Sequence, residues 1–225
     1  MRTITKTVYT FGELIEAHKQ GEVTEQAVER AREWMRECCT SVEWWDGAWS
    51  AWADALNQIG FTDAELSFSG FWSQGDGASF TCKNVDLDKL KAFMGTDIKP
   101  STVIDGTPED FRPWIVYKID GKTPANSKYR SIPSETSASV DRRDNHYSHE
   151  NTCEFVMEWP GASLSTLLQK TLKAFEKDVE QLRRDLCRAI YRDLEEEYEY
   201  QISDEQLIES AEANDYTFDA AGRRE

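Results

Sequence analysis

The chain has 225 residues with 42 acidic and 26 basic side chains, a formal net charge of −16, and that length is enough to bury a substantial core. At 39% hydrophobic and 12% aromatic it is too apolar for a disordered acidic chain, and no apolar run approaches the ~18 residues of a membrane span. A pI of about 4.7 sets it against phosphate backbones, so direct nucleic-acid binding is disfavoured along with membrane insertion.

Met1-Arg2-Thr3-Ile4 does not open a signal peptide. Cys38, Cys39, Cys82, Cys153 and Cys187 are odd in number, irregularly spaced and without a CxxC pair, which reads as reduced, buried thiols in a cytoplasmic protein.

In chain order, alternation over Thr3–Tyr9 predicts a short strand. Phe11–Lys19 predicts a helix closed by Gly21, and Thr24 predicts the cap of a second, with Val28, Ala31, Met35 and Cys38 on one face. Val42, Trp45, Trp49, Trp52, Leu56 and Ile59 alternate three and four to Gly60 and predict the most apolar helix. Five of the eight tryptophans lie in this helical part, Trp44 off the stripe and expected to be exposed. The stripe reads as a core seam, because each Trp side chain can bury ~150–250 Å².

Over 64–83 the period changes to two. Leu66, Phe68, Gly70 and Trp72 alternate with Ser67, Ser69, Phe71 and Ser73, and after Gln74-Gly75-Asp76-Gly77 the pattern resumes at Ala78, Phe80 and Cys82, which predicts a β-hairpin. Asp86 predicts the cap of a short helix to Met94. The stretch 96–135 holds five of the six prolines, and within it Trp114–Ile119 reads as a strand ended by Asp120-Gly121. Strands are also expected at 135–141 and 152–159. Lys122, Lys128, Arg130, Arg142 and Arg143 make this middle region partly basic.

From Ser163 the residues Leu168, Leu172, Phe175, Val179, Leu182, Leu186 and Ala189 form a heptad seam. A helix running to about Ile202 would be ~60 Å long, so it must bend, break, project or pair with a second copy. Ser203 with Gln206 predicts the cap of a last helix through Ala213. The expected architecture is α+β: a small antiparallel sheet packed on Trp-rich N-terminal helices and a long C-terminal helix. Its division is a 1–162 core and a 163–225 segment packed on the same domain.

Between Asp193 and Asp219 there are eleven acids and no Lys or Arg. Such a negative pole suits a partner with a basic surface, the way a nucleic-acid mimic would compete for it. The candidate partner-binding acids are Asp193, Glu195, Glu196, Glu197, Glu199, Asp204, Glu205, Glu209, Glu212 and Asp215, with Tyr198, Tyr200 and Tyr216 as flat contacts among them.

A second candidate site joins the turn residues Ser73, Gln74 and Asp76 to Arg130, His146 and His149, where a Gly-rich nest and basic side chains would take a small phosphorylated or nucleotide ligand. His146 and His149 are three apart, a chelating spacing only on a helix, and with Asp141, Asp144, Glu150 and Cys153 they match no metal pattern. No GxSxG, HExxH, Rossmann or kinase signature occurs, and no catalytic residue, metal or cofactor is assigned.

Residues 69–80, SGFWSQGDGASF, resemble a phrase, SGFxSQGDGAxF, of poorly characterised tailed-bacteriophage proteins, some loosely labelled antitoxin-like. Glu195–Tyr200, Ser203–Glu205 and Glu212–Phe218 are similar to the ending of that group. The resemblance implies a phage protein made in the cytoplasm of an infected bacterium, and it brings no activity or catalytic residue to carry over. The leading expectation is a non-enzymatic inhibitor of a host or anti-phage defence protein. The others are the ligand site at the turn and a homodimer through the 168–189 seam.

Overall fold

A computed structural model describes residues 7–102, 110–121, 132–143, 146–159 and 164–225. The fold is α+β, and the chain groups into two units, one of residues 1–47 with 194–225 and the other of residues 48–193. The expected 1–162 and 163–225 division cuts the chain elsewhere. The physical reason is the long helix, which serves both units with no break in periodicity to mark the change.

The first unit is helical. Thr10 and Glu13 form a reciprocal capping box for α1 (Phe11–Lys19), and the Thr24 hydroxyl accepts from the Ala27 amide to start α2 (Glu25–Thr40). Ser203 caps another helix, Asp204–Ala213. Phe11, Leu14, Val28, Ala31, Met35, Leu207, Ala211 and Phe218 make one buried core. Residues 3–6 of the expected Thr3–Tyr9 strand lie outside the described residues; Tyr9 pairs antiparallel with Phe218, with N–H···O distances of 2.9 and 2.8 Å. Gly222 (φ 73°) lets the last segment lie on α2: a Cβ there would fall 1.9 Å from the Ala27 carbonyl oxygen.

The second unit opens with α3 (Asp46–Gln58). It begins later than its apolar stripe, so Val42 is left outside the helix and exposed. Of the tryptophan seam only Trp52 is fully buried; Trp45 and Trp49 are half-buried. Trp44, expected to be exposed, is half-buried in the first unit, edge-on to Trp45 and Tyr198.

The sheet is three two-stranded antiparallel ladders: β1 (Phe61–Thr62) with β4 (Asn84–Val85), β2 (Glu65–Phe68) with β3 (Ala78–Thr81), and β5 (Ser137–Arg142) with β6 (Cys153–Glu158). A bridge between Cys82 and Val140 joins the hairpin region to β5. The predicted hairpin is present with Leu66 opposite Phe80, but pairing stops at Phe68 opposite Ala78. Residues 69–77 form a loop in which Gly70, Trp72 and Gly75 all have positive φ, so the expected face of Leu66, Phe68, Gly70 and Trp72 ends after two residues.

Asp86 caps α4 (Leu87–Met94) as expected. The expected strand Trp114–Ile119 is instead α5 (Arg112–Lys118). Pro113 supplies a φ suited to a first helical turn, and a six-residue run with Lys118 as its one polar residue carries no period to distinguish the two states. The expected 135–141 and 152–159 strands form β5 and β6, with Ala138, Val140, Cys153, Phe155 and Met157 facing inward.

The last long element, α6 (Thr166–Gln201), has 36 residues. Up to Asp193 it belongs to the second unit and from Leu194 to the first. Of its seam residues, Leu172, Phe175, Val179, Leu182, Leu186 and Ala189 are buried within the single chain, and Leu168 is half-buried. The closing helix Asp204–Ala213 is α7. No described helix is long and apolar enough to cross a membrane.

Candidate functional site

The acids of 193–219 separate into two sets. Asp193 is set inward: it accepts from the Trp52 indole N–H at 2.9 Å and from Lys118 Nζ at 2.5 Å, within the second unit. Its place among the surface acids is therefore a correction, since a carboxylate neutralised by a lysine and an indole presents little charge outward. Asp219 is also buried, accepting from the Arg223 and Ala221 amides and from Arg223 Nε, each at 2.9 Å. Those donors, the Arg223 amide foremost, hold its carboxyl down to about 2. Asp204 takes a two-pronged Arg32 guanidinium at 2.7 and 3.1 Å, which lowers its pKa and fastens the start of α7 to α2. Glu197 accepts from Gln201 Nε2.

The second set faces water. Glu196 and Glu199 near the end of α6, Glu205, Glu209 and Glu212 on α7, and Asp215 after it are exposed, and none makes an ion pair with a described residue. Glu195 is half-buried and likewise makes none. Tyr200 is exposed among them, and Tyr198 lies edge-on to Trp44 with centroids 5.4 Å apart. Glu199 sits in the last turn of α6, where the helix dipole is already negative, and four residues from Glu195. Both relations cost stability. Asp204 and Glu205, in the first turn of α7, are placed as the dipole favours.

The turn and the histidine segment do come together, but they pack directly on one another. A Cβ on Gly75 would lie 2.9 Å from the Tyr147 ring, and one on Gly77 2.5 Å from His149 Cβ. The turn also satisfies itself. Asp76 Oδ2 accepts from the Ser73 amide at 2.6 Å, Ser69 Oγ accepts from the Ser148 amide, and Arg142 reaches Ser67 Oγ at 2.7 Å. Ser73, Gln74 and His146 are exposed, while His149 is half-buried and its Nδ1 accepts from the Asn151 amide. Arg130, with Lys122, Lys128 and Asp144, lies outside the described residues. Among the described residues no three His, Cys, Asp or Glu converge as a metal site.

The buried polar centre of the second unit gives little sign of itself in the sequence. Arg183 is fully buried on α6 and donates to Glu180 at 2.8 and 2.9 Å and to the Glu150 carbonyl at 2.6 Å. Glu180 also accepts from the Phe155 amide of β6 and from Arg184. Burial opposes its ionisation, yet the two arginines and the amide hold it down to about 2. Next to this pair, burial pushes the Cys187 thiol up to about 12, so it is neutral and unreactive at ordinary pH. The only sequence signal was the Glu180-Arg183-Arg184 spacing on one helical face, which an exposed pair would share.

A protein-family model described as "Domain of unknown function (DUF8835)" matches residues 44–204, taking in the whole of the second unit and the start of α7. No curated protein and no solved structure matches the chain.

Proposed function

The chain belongs to the DUF8835 family, a domain of unknown function, and on that footing we propose that it is a non-enzymatic binding protein whose acidic surface occupies a basic surface on another protein. One observation carries this reading: the outward acids Glu196, Glu199, Glu205, Glu209, Glu212 and Asp215 make no ion pair among the described residues. Part of that charge sits where it opposes a helix dipole, so fold stability does not account for it. A basic groove built to hold phosphates is the electrostatic complement of such a surface. The likeness of the 69–80 phrase and the acidic ending to tailed-phage proteins directs the proposal to a host or anti-phage defence protein, met in the cytoplasm of an infected bacterium. Inhibition would follow from occupying the groove, with no turnover.

The test is capture of partners from bacterial lysate at low and moderate salt, using the wild-type chain and a variant with Glu205, Glu209 and Glu212 changed to Lys. A basic partner lost both as salt rises and in the variant is the expected result. A partner insensitive to both changes, or none at either salt, would sink the proposal.

A further inference from the structure

In the first unit the rings of Trp34 and Tyr216 meet edge to face, centroids 5.1 Å apart and planes at 81°. The corner they form is braced from behind. Trp34 rests on Phe218 with centroids 5.8 Å apart, the Tyr216 amide bonds to the Ala211 carbonyl at 2.9 Å, and Phe218 is paired to Tyr9. Into this corner goes a guanidinium: Arg224 Cζ lies 4.9 Å from the Trp34 centroid and 4.6 Å from that of Tyr216.

Arg224 is itself exposed, and its side chain makes no ion pair or hydrogen bond with a described residue. Its backbone is bridged to Phe218, and the two ring faces hold its side chain. A guanidinium is flat and weakly hydrated, and it stacks on aromatic faces where an ammonium is better left in water. The corner also lies in an acidic setting, with Glu37 three residues from Trp34 on the same face of α2 and Asp215 next to Tyr216. A basic groove lined with arginine would present this same chemical group.

We propose that the Trp34–Tyr216 corner is a recognition site for an arginine side chain of the partner, with Arg224 its occupant in the free chain. This rests on the acidic-surface reading and narrows it, from any basic partner to one that presents arginine. Binding exchanges one guanidinium for another: the partner's enters the corner and Arg224 moves into solvent, so the stacking energy is conserved and only its source changes.

Calorimetric titration of the full chain with two peptides of equal length and charge, one of arginines and one of lysines, tests this at fixed salt. Arg224→Ala is expected to raise affinity for the arginine peptide ~2–5-fold more than for the lysine peptide, the range a cation–π contact supplies. The difference between the peptides is the readout, because loss of a positive charge alone helps both equally. Adding Tyr216→Leu to Arg224→Ala is expected to abolish the difference while leaving Trp34 packed. If both peptides bind with salt-sensitive affinity and Arg224→Ala shifts them alike, the corner proposal is overturned and the acidic surface stands. If neither peptide binds, the acidic-surface reading falls, and this one with it.

Discussion

The two units of this chain handle charge in opposite ways. The second, residues 48–193, carries 18 basic against 22 acidic side chains, a net of −4. The first, residues 1–47 and 194–225, carries 8 against 20, a net of −12 in little more than half the length. In the second unit several charges are matched, with Arg183 and Glu180 and Lys118 and Asp193 set inward and the more exposed Arg188 beside Asp185 and Glu150. In the first unit Asp204 and Asp219 tie segments together, Glu16 and Glu29 pair within their own helices, and Glu196, Glu199, Glu205, Glu209, Glu212 and Asp215 face water unmatched among the described residues. Matched charge inside serves the fold, whereas unmatched charge outside is a long-range field available to another molecule. The family match covers all of the inward-charged unit and only the edges of the other.

The largest expected effect tests the inward half of this contrast. Arg183→Ala removes a fully buried guanidinium and leaves the Glu180 carboxylate with Arg184 and the Phe155 amide alone. Breaking a buried pair from one side costs about 3–5 kcal/mol, to be measured by urea unfolding. The pair also sets an acid limit. Glu180 is held at about 2 against an ordinary 4.5, so its contribution is complete above pH 4.5 and is lost as pH falls towards 2. Glu180→Gln is expected to flatten the fall in stability over that window. An unchanged acid limb would mean the pair contributes nothing to folding.

Among the described residues of the first unit no comparable buried pair carries the fold, and backbone approach takes its place. Gly222→Ala puts a Cβ 1.9 Å from the Ala27 carbonyl oxygen at a φ of 73°. A clash and a strained left-handed residue together are expected to cost at least ~2 kcal/mol. The same measurement with Gly47→Ala, where nothing lies within 4 Å, serves as its control. Equal effects would show that the last segment does not need its seat on α2.

How much of this the residue order disclosed follows from the range of each interaction. The caps at Thr24, Asp86 and Ser203 are legible because a cap and the amides it serves are two to three residues apart. The β2–β3 hairpin was legible for the same reason, although its alternation ran on past Phe68 into a loop that positive φ at Gly70 and Trp72 takes out of the sheet. Trp114–Ile119 reads as a strand because five apolar residues and Lys118 fit either period, and Pro113 is the sign of a helix start. Asp193 looked like its neighbours because its partners Trp52 and Lys118 lie 141 and 75 residues away. The Trp34–Tyr216–Arg224 corner was invisible for that reason too. Its pieces come from α2 and from the far end of the sequence, and neither piece alone has a pattern.

The smallest expected effect is the one that separates a surface kept for the fold from a surface kept for a partner. Glu199 stands in the last turn of α6, against the dipole and one turn from Glu195. Glu199→Lys reverses both terms, since a cation is favoured at that end and a Glu–Lys pair at i,i+4 replaces two like charges. Stability is expected to rise by about 0.5–1 kcal/mol in urea unfolding. Were the acids only a solvated tail, that gain would come with no loss of binding. Under the proposal the same variant weakens capture of the basic partner and lowers its salt dependence, because one charge of the field has been inverted. A variant more stable and equally good at binding would leave the acids of α6 without a role in recognition and confine the surface to α7.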